Sequence, residues 1–258
     1  MKLLLLPALL FSATAAAAQP TIAPQAVPAV WDPVAPYITA GQDEPGYRAW
    51  YMADPTRPTQ VRAFNAYLVS SGVGGILPTW QLLRTATSWR ECGQQPFEVP
   101  PAENWVNIVQ TLRYIRDHVI PAIGPVEPVS VYRNPVLNIC AGGAPESAHK
   151  TDSAIDMVPL RPITREALMA ALCDVHSTRG PAYRAGLGFY AFVRFHVDSM
   201  KFRRWNMDPA VAQHCPPIIQ PEDVASVAQP PAAAPPPPLA APGAGATVTP
   251  ERGQRPNR

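Results

Sequence analysis

Hydrophobic residues recur at helical spacing in three stretches of the chain. The clearest is residues 102–119, where Trp105, Ile108, Leu112 and Ile115 fall on one face at intervals of three and four residues. Charged residues occupy the opposite face. This pattern predicts an amphipathic helix with its apolar face in the protein core.

Two further stretches show the same pattern. Residues 165–176 follow Thr164, whose hydroxyl can cap the first turn of a helix, and residues 58–70 form the other stretch. The positions predicted to face the core are Leu168, Ala171, Leu172 and Val175 in the first, and Val61, Phe64 and Leu68 in the second.

Short segments rich in β-branched and aromatic residues predict strands. They lie at residues 129–132, 154–158, 188–190, 193–198 and 201–205. We expect the last two to pair as a hairpin. Helices and strands alternate without a regular βαβ rhythm, so the predicted fold class is α+β, with a folded core at residues 44–215.

The two ends of the chain differ in composition from this core. Lys2 precedes an apolar run that ends in small residues, which predicts a secretory signal peptide over residues 1–18. We therefore expect a periplasmic or secreted protein without a transmembrane segment. The 34 prolines of the 258-residue chain are enriched at its ends. Residues 19–43 form a proline-rich segment, and residues 216–258 are predicted to be a disordered Pro/Ala-rich tail.

Charge and cysteine content narrow the possible functions. A net charge of +2 argues against a dedicated nucleic-acid binder. Four cysteines in an exported chain predict two disulfides, because no two of them have the short spacing of a zinc-binding pair. Connectivity cannot be deduced from sequence. The pairing we favour joins Cys92 to Cys140, which flank the expected cleft, and Cys173 to Cys215, which would tie a helix to the end of the domain.

Four residues carry the candidate chemistry: His149, Asp156, His196 and Asp198. A spacing of seven on a helix would separate His149 from Asp156 by about 10.5 Å, too far for one metal ion. The turn-like residues 151–153 instead predict a loop followed by a strand, which brings the two side chains together. His196 and Asp198 are two apart on a predicted strand and so share a face. Two nitrogens, a carboxylate and one position for water are what a hydrolytic zinc centre requires.

Short motifs surround these residues. They are Ser130-Val131-Tyr132-Arg133-Asn134-Pro135, Ser147-Ala148-His149 followed by Ala154-Ile155-Asp156, Gly186-Leu187-Gly188-Phe189-Tyr190, and Phe195-His196-Val197-Asp198. Together, over residues 80–205, they resemble the M15 family of zinc D-alanyl-D-alanine peptidases. The resemblance implies a small central antiparallel sheet flanked by helices, as in lysostaphin and hedgehog-type domains. It also implies a metallopeptidase, a hydrolase acting on the stem peptides of peptidoglycan in the cell wall as a carboxypeptidase or an endopeptidase.

The resemblance also assigns roles by position. It implies that His149, Asp156 and His196 bind one zinc ion per chain, and that Arg133 holds a substrate carboxylate or an oxyanion. Relatives often end in H-x-H or E-x-W-H, whereas this chain has His196-Val197-Asp198. We take Asp198 as the catalytic base or as the group that orients a ligand, and the reverse assignment, with Asp198 on the zinc, stays open. Ser147 is expected to bind substrate, to turn the loop or to bond the second nitrogen of a ligand.

The same residues allow other roles and another function. Arg133 could form a structural salt bridge instead of binding substrate. Ser147 and Lys150 match the S-x-x-K motif of serine acyl-enzymes, but the S-D-N and K-T-G elements of those enzymes are missing downstream. A zinc-free module that only binds cell wall is the non-enzymatic alternative. The expected partner is a peptidoglycan peptide, bound by a monomer.

Three further histidines carry no motif: His118, His176 and His214. The first two fall on predicted helices, where we expect surface or capping positions.

Overall fold

The computed structural model describes residues 37–205 and Cys215. The predicted signal peptide at residues 1–18 and the predicted tail at residues 216–258 lie outside these residues, as does most of segment 19–43. The described helices are α1 (Glu44–Met52), α2 (Arg57–Ser70), α3 (Trp105–Tyr114), α4 (Ile120–Ile123), α5 (Pro135–Cys140) and α6 (Arg165–Tyr183). Short 3-10 turns cover Gln81–Leu83, Ala102–Asn104 and Ala148–Thr151.

All three predicted helices are present. The stretch from residue 102 contains a 3-10 turn, then α3, then a π-helical turn at Ile115–Val119 that leads into α4. α6 is longer than predicted, and Thr164 caps it as expected, with its Oγ1 accepting from the Ala167 amide at 3.2 Å. α1 and α5 were not predicted.

Five strands form one sheet. They are β1 (Val126–Ser130), β2 (Ala154–Pro159), β3 (Gly186–Phe189), β4 (Phe195–Asp198) and β5 (Arg203–Trp205), in the spatial order β1-β2-β4-β3-β5. The pairs are antiparallel except β3 with β5, which is parallel. The predicted hairpin of the last two strands is therefore wrong. β4 has β2 on one side and β3 on the other, so β5 takes the outer edge of β3.

The sheet has one apolar face and one polar face in its central strands. Ile155 and Met157 of β2 and Phe195 and Val197 of β4 are buried in the main hydrophobic core. The same core contains the apolar stripes of α2, α3 and α6. Because side chains alternate along a strand, Asp156, His196 and Asp198 lie on the opposite face. The α+β prediction is confirmed, and the chemistry-bearing residues lie on the face turned away from this core.

The two disulfides are Cys92–Cys140 and Cys173–Cys215, which confirms the pairing favoured from sequence. Cys173 lies in the middle of α6, so the second bridge attaches Cys215 to that helix. In the part of the chain described, no helix is both long and apolar enough to cross a membrane.

The expectation for His176 is wrong. Its ring is fully buried, stacks on Phe202 at 4.6 Å between ring centroids, and bonds the Ala185 carbonyl through Nε2 at 2.9 Å. Burial lowers the pKa of His176 to about 4. It is a neutral core residue on the inner side of α6. His214 lies outside the described residues.

Candidate metal site

Two strands and one turn bring the three candidate ligands together. Asp156 on β2 and His196 on β4 are direct cross-strand partners, so their side chains emerge side by side. His149 lies in the 3-10 turn Ala148–Thr151, which Ser147 caps by accepting the His149 amide at 3.4 Å. The His149 carbonyl accepts the Arg133 amide at 3.1 Å, which fixes the turn against the segment that follows β1.

The ligand atoms lie at the spacing of one metal ion's coordination shell. His149 Nε2 is 3.2 Å from Asp156 Oδ1 and 3.2 Å from His196 Nδ1, and the last two atoms are 2.9 Å apart. Atoms about 2.0–2.1 Å from a zinc ion at tetrahedral corners would be about 3.3–3.4 Å apart. All three residues are buried. The group can therefore hold a metal ion.

Hydrogen bonds at the far side of each ring fix which nitrogen faces the site. His149 Nδ1 lies against the Val131 carbonyl, which can only accept, so Nδ1 carries the proton and Nε2 presents a lone pair. His196 Nε2 lies 3.1 Å from Asp198 Oδ2, which leaves Nδ1 to face the site. Both histidines are thus oriented as metal-ligating histidines are, with the second nitrogen bonded to a carbonyl or a carboxylate.

The electrostatics of the two rings differ. Burial, reinforced by the charge of Arg133, lowers the pKa of His149 to about 4. Burial also acts to lower the pKa of His196, but its hydrogen bonds to Asp156 and Asp198 outweigh burial and raise that pKa. His149 is therefore ready to coordinate as the neutral ring, whereas His196 must give up a proton on binding a metal.

Asp156 is held as a carboxylate by two guanidinium groups. Its Oδ2 accepts from Arg133 Nη2 and from Arg194 Nη2, both at 2.6 Å, while Oδ1 faces the two histidines. Burial acts to raise the pKa of Asp156, but the charges of His149, Arg194 and Arg133 outweigh it, so the pKa lies well below its usual value. Asp156 is therefore a charged candidate ligand, and the bonds of its second oxygen fix its orientation.

Arg133 forms the salt bridge that was the alternative to substrate binding. Its Nη2 bonds Asp156, and its Nε donates to Ser130 Oγ at 2.9 Å. Arg133 also lines the cavity beside the ligands. Arg133 therefore has the structural role. Its Nη1 makes no hydrogen bond within the described residues and is left for a contact in the cavity.

Asp198 lies behind His196, across the ring from the candidate metal position. Oδ2 bonds His196 Nε2 and lies 3.0 Å from Arg203 Nη2, while Oδ1 accepts the Met200 amide at 2.8 Å and Arg203 Nη1 at 3.2 Å. The side chain is buried. Burial acts to raise the pKa of Asp198, and the bonds to His196 and the charge of Arg203 outweigh it and lower the pKa. These contacts fit the role of orienting a ligand.

Two glycines on β3 make room for this arrangement. Gly186 and Gly188 pair with Asp198 and His196 across the strands. A Cβ on Gly186 would lie 2.2 Å from Asp198 Oδ2, and one on Gly188 would lie 2.5 Å from Trp205 Cε2. Because Gly188 has no side chain, the Trp205 indole packs on the His196 ring at 4.5 Å between centroids.

A cavity of about 470 Å³ opens beside the ligands. His149 and His196 form one side of it, and Arg203 and Trp205 form another. The loop after α5 closes the remaining side. The loop residues that line the cavity are Ala141, Gly142, Gly143, Ala144, Glu146 and Ser147, and Tyr190 completes the lining with Arg133 and Ala148.

Ser147 and Lys150 are not arranged as an acylating pair. Lys150 Nζ donates to the Pro145 carbonyl at 2.8 Å, and Ser147 Oγ caps the turn. The second nitrogen of His149 bonds Val131 instead of Ser147. Ser147 does line the cavity, so contact with a substrate stays a prediction.

Sequence reasoning did not single out three residues of the site: Arg194, Arg203 and Glu146. Arg194 is two residues before His196, and the strand period of two could have placed it near the same face. Arg203 contacts Asp198 from β5, and the parallel pairing of β5 with β3 is not contained in the local sequence pattern. Glu146 lies three residues before His149, which is the signal that could have identified it.

Comparison with protein-family models, with curated proteins and with solved structures finds no match for this chain. The residues of the site and their geometry are therefore the basis on which its chemistry is inferred.

Proposed function

We propose that this protein is an exported zinc-dependent peptidase that hydrolyses peptidoglycan stem peptides, as a D-alanyl-D-alanine carboxypeptidase or a D,D-endopeptidase. One observation carries the proposal. His149 Nε2, Asp156 Oδ1 and His196 Nδ1 converge within 3.2 Å of one another beside an open cavity, with every remaining polar atom of the three side chains held by a partner.

Zinc is the metal that we assign to this donor set. Two imidazole nitrogens and one carboxylate oxygen, with room for a water, are the ligands of catalytic zinc sites in metallopeptidases. Magnesium and calcium prefer oxygen ligands alone. A zinc ion bound here would supply an activated water at neutral pH and polarise the scissile carbonyl.

The protein's own residues would orient these components. The Val131 carbonyl and the Asp198 carboxylate keep protons on the far nitrogens of His149 and His196. Arg133 and Arg194 keep Asp156 charged. Together these contacts fix the orientation of the three side chains toward one point.

The substrate class follows from the cavity and from the resemblance in the motifs. Arg133 and Arg203 line the cavity beside the metal position, and guanidinium groups there suit a peptide carboxylate or the oxygen that gains charge during hydrolysis. The motifs around Arg133, His149 and His196 add the specific expectation of D-alanine-containing peptides. Two disulfides agree with a protein that works outside the cytoplasm.

The test is digestion of purified peptidoglycan by the purified protein, with and without a chelator, followed by mass analysis of the products. Release of single D-alanine residues would identify a carboxypeptidase, and loss of cross-linked dimers would identify an endopeptidase. We expect the chelator to abolish either activity and added zinc to restore it. Binding to peptidoglycan without any cleavage would contradict the proposal and support a non-catalytic cell-wall module.

A further inference from the structure

The described residues that line the cavity include one carboxylate, Glu146. Peptide hydrolysis needs a group that takes a proton from the attacking water and gives it to the leaving amine. Asp156 is fully buried, with Oδ1 among the ligand atoms and Oδ2 bonded to two arginines. Asp198 is buried behind His196 with both oxygens bonded. Neither carboxylate has a free oxygen that faces the cavity.

Glu146 lies on a well-anchored turn immediately before the His149 turn. The Ser147 amide donates to the Ala144 carbonyl at 3.1 Å, which closes a β-turn with Pro145 and Glu146 at its centre. Asn138 Nδ2 donates to the same Ala144 carbonyl at 3.0 Å.

Two further contacts hold the loop on either side of this turn. Lys150 Nζ donates to the Pro145 carbonyl at 2.8 Å. Cys140, just before the loop, is bridged to Cys92. The backbone under Glu146 is thus fixed by side chains from both flanks, while the glutamate side chain itself is exposed at the cavity wall.

We propose that Glu146 is the general base and acid of the hydrolytic reaction, an inference that rests on the proposed peptidase function. One Glu146 oxygen accepts a proton from the attacking water as the water oxygen bonds to the scissile carbonyl carbon. The same carboxyl then donates that proton to the amide nitrogen as the carbon–nitrogen bond breaks. Asp198 is left as a positioning residue that acts through His196.

Tyr190 is the other acidic side chain among the described residues that line the cavity. Burial raises its pKa. The Arg194 guanidinium lies over its ring at 4.8 Å. A phenol held protonated in this way can donate a hydrogen bond but cannot take a proton from water near pH 7.

The kinetic test compares Glu146→Gln with wild type on a soluble peptidoglycan peptide. We expect kcat to fall by about 10²–10⁴-fold with little change in KM. Glu146→Asp should recover part of the rate. Glu166→Gln, which changes an exposed glutamate in the first turn of α6, is the matched control and should leave kcat unchanged.

A second readout needs no turnover. With Co²⁺ in place of zinc, the visible absorption of the loaded protein should titrate with the ionisation of the water in the site. Removing a carboxylate that accepts a hydrogen bond from that water should shift the titration of Glu146→Gln to lower pH, whereas Glu166→Gln should titrate as wild type does. An unchanged titration in Glu146→Gln would overturn the assignment, since Glu146 would then not contact the water.

The outcomes separate this inference from the function on which it rests. Full hydrolysis by Glu146→Gln, in a protein whose wild-type activity is lost with chelator, would overturn the role of Glu146 and leave the peptidase function standing. Wild-type protein that loads metal but cleaves no peptidoglycan peptide would contradict both.

Discussion

Asp156 lies directly across from His196 on the neighbouring strand, and Asp198 lies two residues after His196 on the same strand. The partners of their oxygens give the two carboxylates different roles. Asp156 keeps one oxygen among the ligand atoms, whereas both oxygens of Asp198 are bonded to groups behind the ring. The burial and bonding of each side chain, which sequence spacing does not reveal, distinguish a ligand from an orienting group. This is why the sequence left the order of His196 and Asp198 open.

Asp198→Asn tests this distinction. An amide can present its NH₂ group to His196 Nε2, which favours the tautomer with the proton on Nδ1, where the metal should bind. We expect the zinc affinity, measured by competition with a chromophoric chelator, to fall about 10–100-fold while the fold is kept. His196→Ala should lose far more affinity. Complete loss of zinc in Asp198→Asn, with retention in His196→Ala, would make Asp198 the ligand.

Asp152 is a strained residue between two candidate ligands, His149 and Asp156. It lies in the turn between His149 and Asp156 with φ 55°, fully buried, and neither carboxyl oxygen has a hydrogen-bond partner among the described residues. Burial raises the pKa of Asp152 well above its usual value. The pKa of Asp152 is higher in the folded protein than in the unfolded chain. The free energy of unfolding is therefore highest, as far as this group is concerned, below about pH 4, and it falls as the pH rises through the folded pKa.

Asp152→Gly should therefore stabilise the protein. We expect the free energy of unfolding at pH 7 to rise by about 1–3 kcal/mol, because a buried unsatisfied group and a left-handed backbone strain are both removed. The increase in the free energy of unfolding, measured by denaturant unfolding, should be smaller at pH 4 than at pH 7. Arg184→Gly is the control, since Arg184 has a similar φ of 52° but is exposed; its effect should not depend on pH. A destabilised Asp152→Gly would show that the carboxylate has a structural partner.

At the scale of elements, the periodic pattern predicted what depends on local sequence. Which face of an element must be buried determines its pattern of apolar residues. That pattern predicted the apolar stripes of α2, α3 and α6 and the alternation along β2 and β4, and these elements are present. α1 and α5 were missed because each begins at a proline-containing turn and has few buried positions: Trp50 in α1, and Leu137 and Asn138 in α5. The predicted pairing of β5 with β4 was wrong because β2 and β3 occupy the two edges of β4. The outer edge of β3 is left for β5.

Strand β3 offers a prediction at this scale, since its two glycines face different groups. Gly186→Ala should displace Asp198 from His196 and lower the zinc affinity by about tenfold or more. Gly188→Ala should instead displace Trp205 and change KM for a peptide, with zinc affinity near wild type. Zinc binding by chelator competition and peptide kinetics on both variants would decide. Equal zinc affinity in Gly186→Ala and wild type would show that Asp198 does not need this close approach.

At the scale of the whole molecule, the site is assembled from segments far apart in sequence. Val131 follows β1, His149 lies in a turn, Asp156 is on β2, and His196 and Arg203 come from the last two strands. The sequence indicated the candidate metal ligands because histidine and aspartate are residue types that bind metals, and their spacing fits a loop and two strands. It did not indicate Arg194, Arg203 or Glu146, because their roles exist only once the sheet order and the loop after α5 have formed.

The most direct test of the central claim is the metal content of the purified protein. After loading with zinc and dialysis, wild-type protein analysed by elemental mass spectrometry should retain about one zinc per chain, as three protein ligands and a water imply. His149→Ala should retain almost none while its circular dichroism spectrum and disulfides stay as in wild type. Wild-type protein that retains no zinc, or a His149→Ala variant that retains as much as wild type, would contradict the assignment of His149, Asp156 and His196 as a metal site.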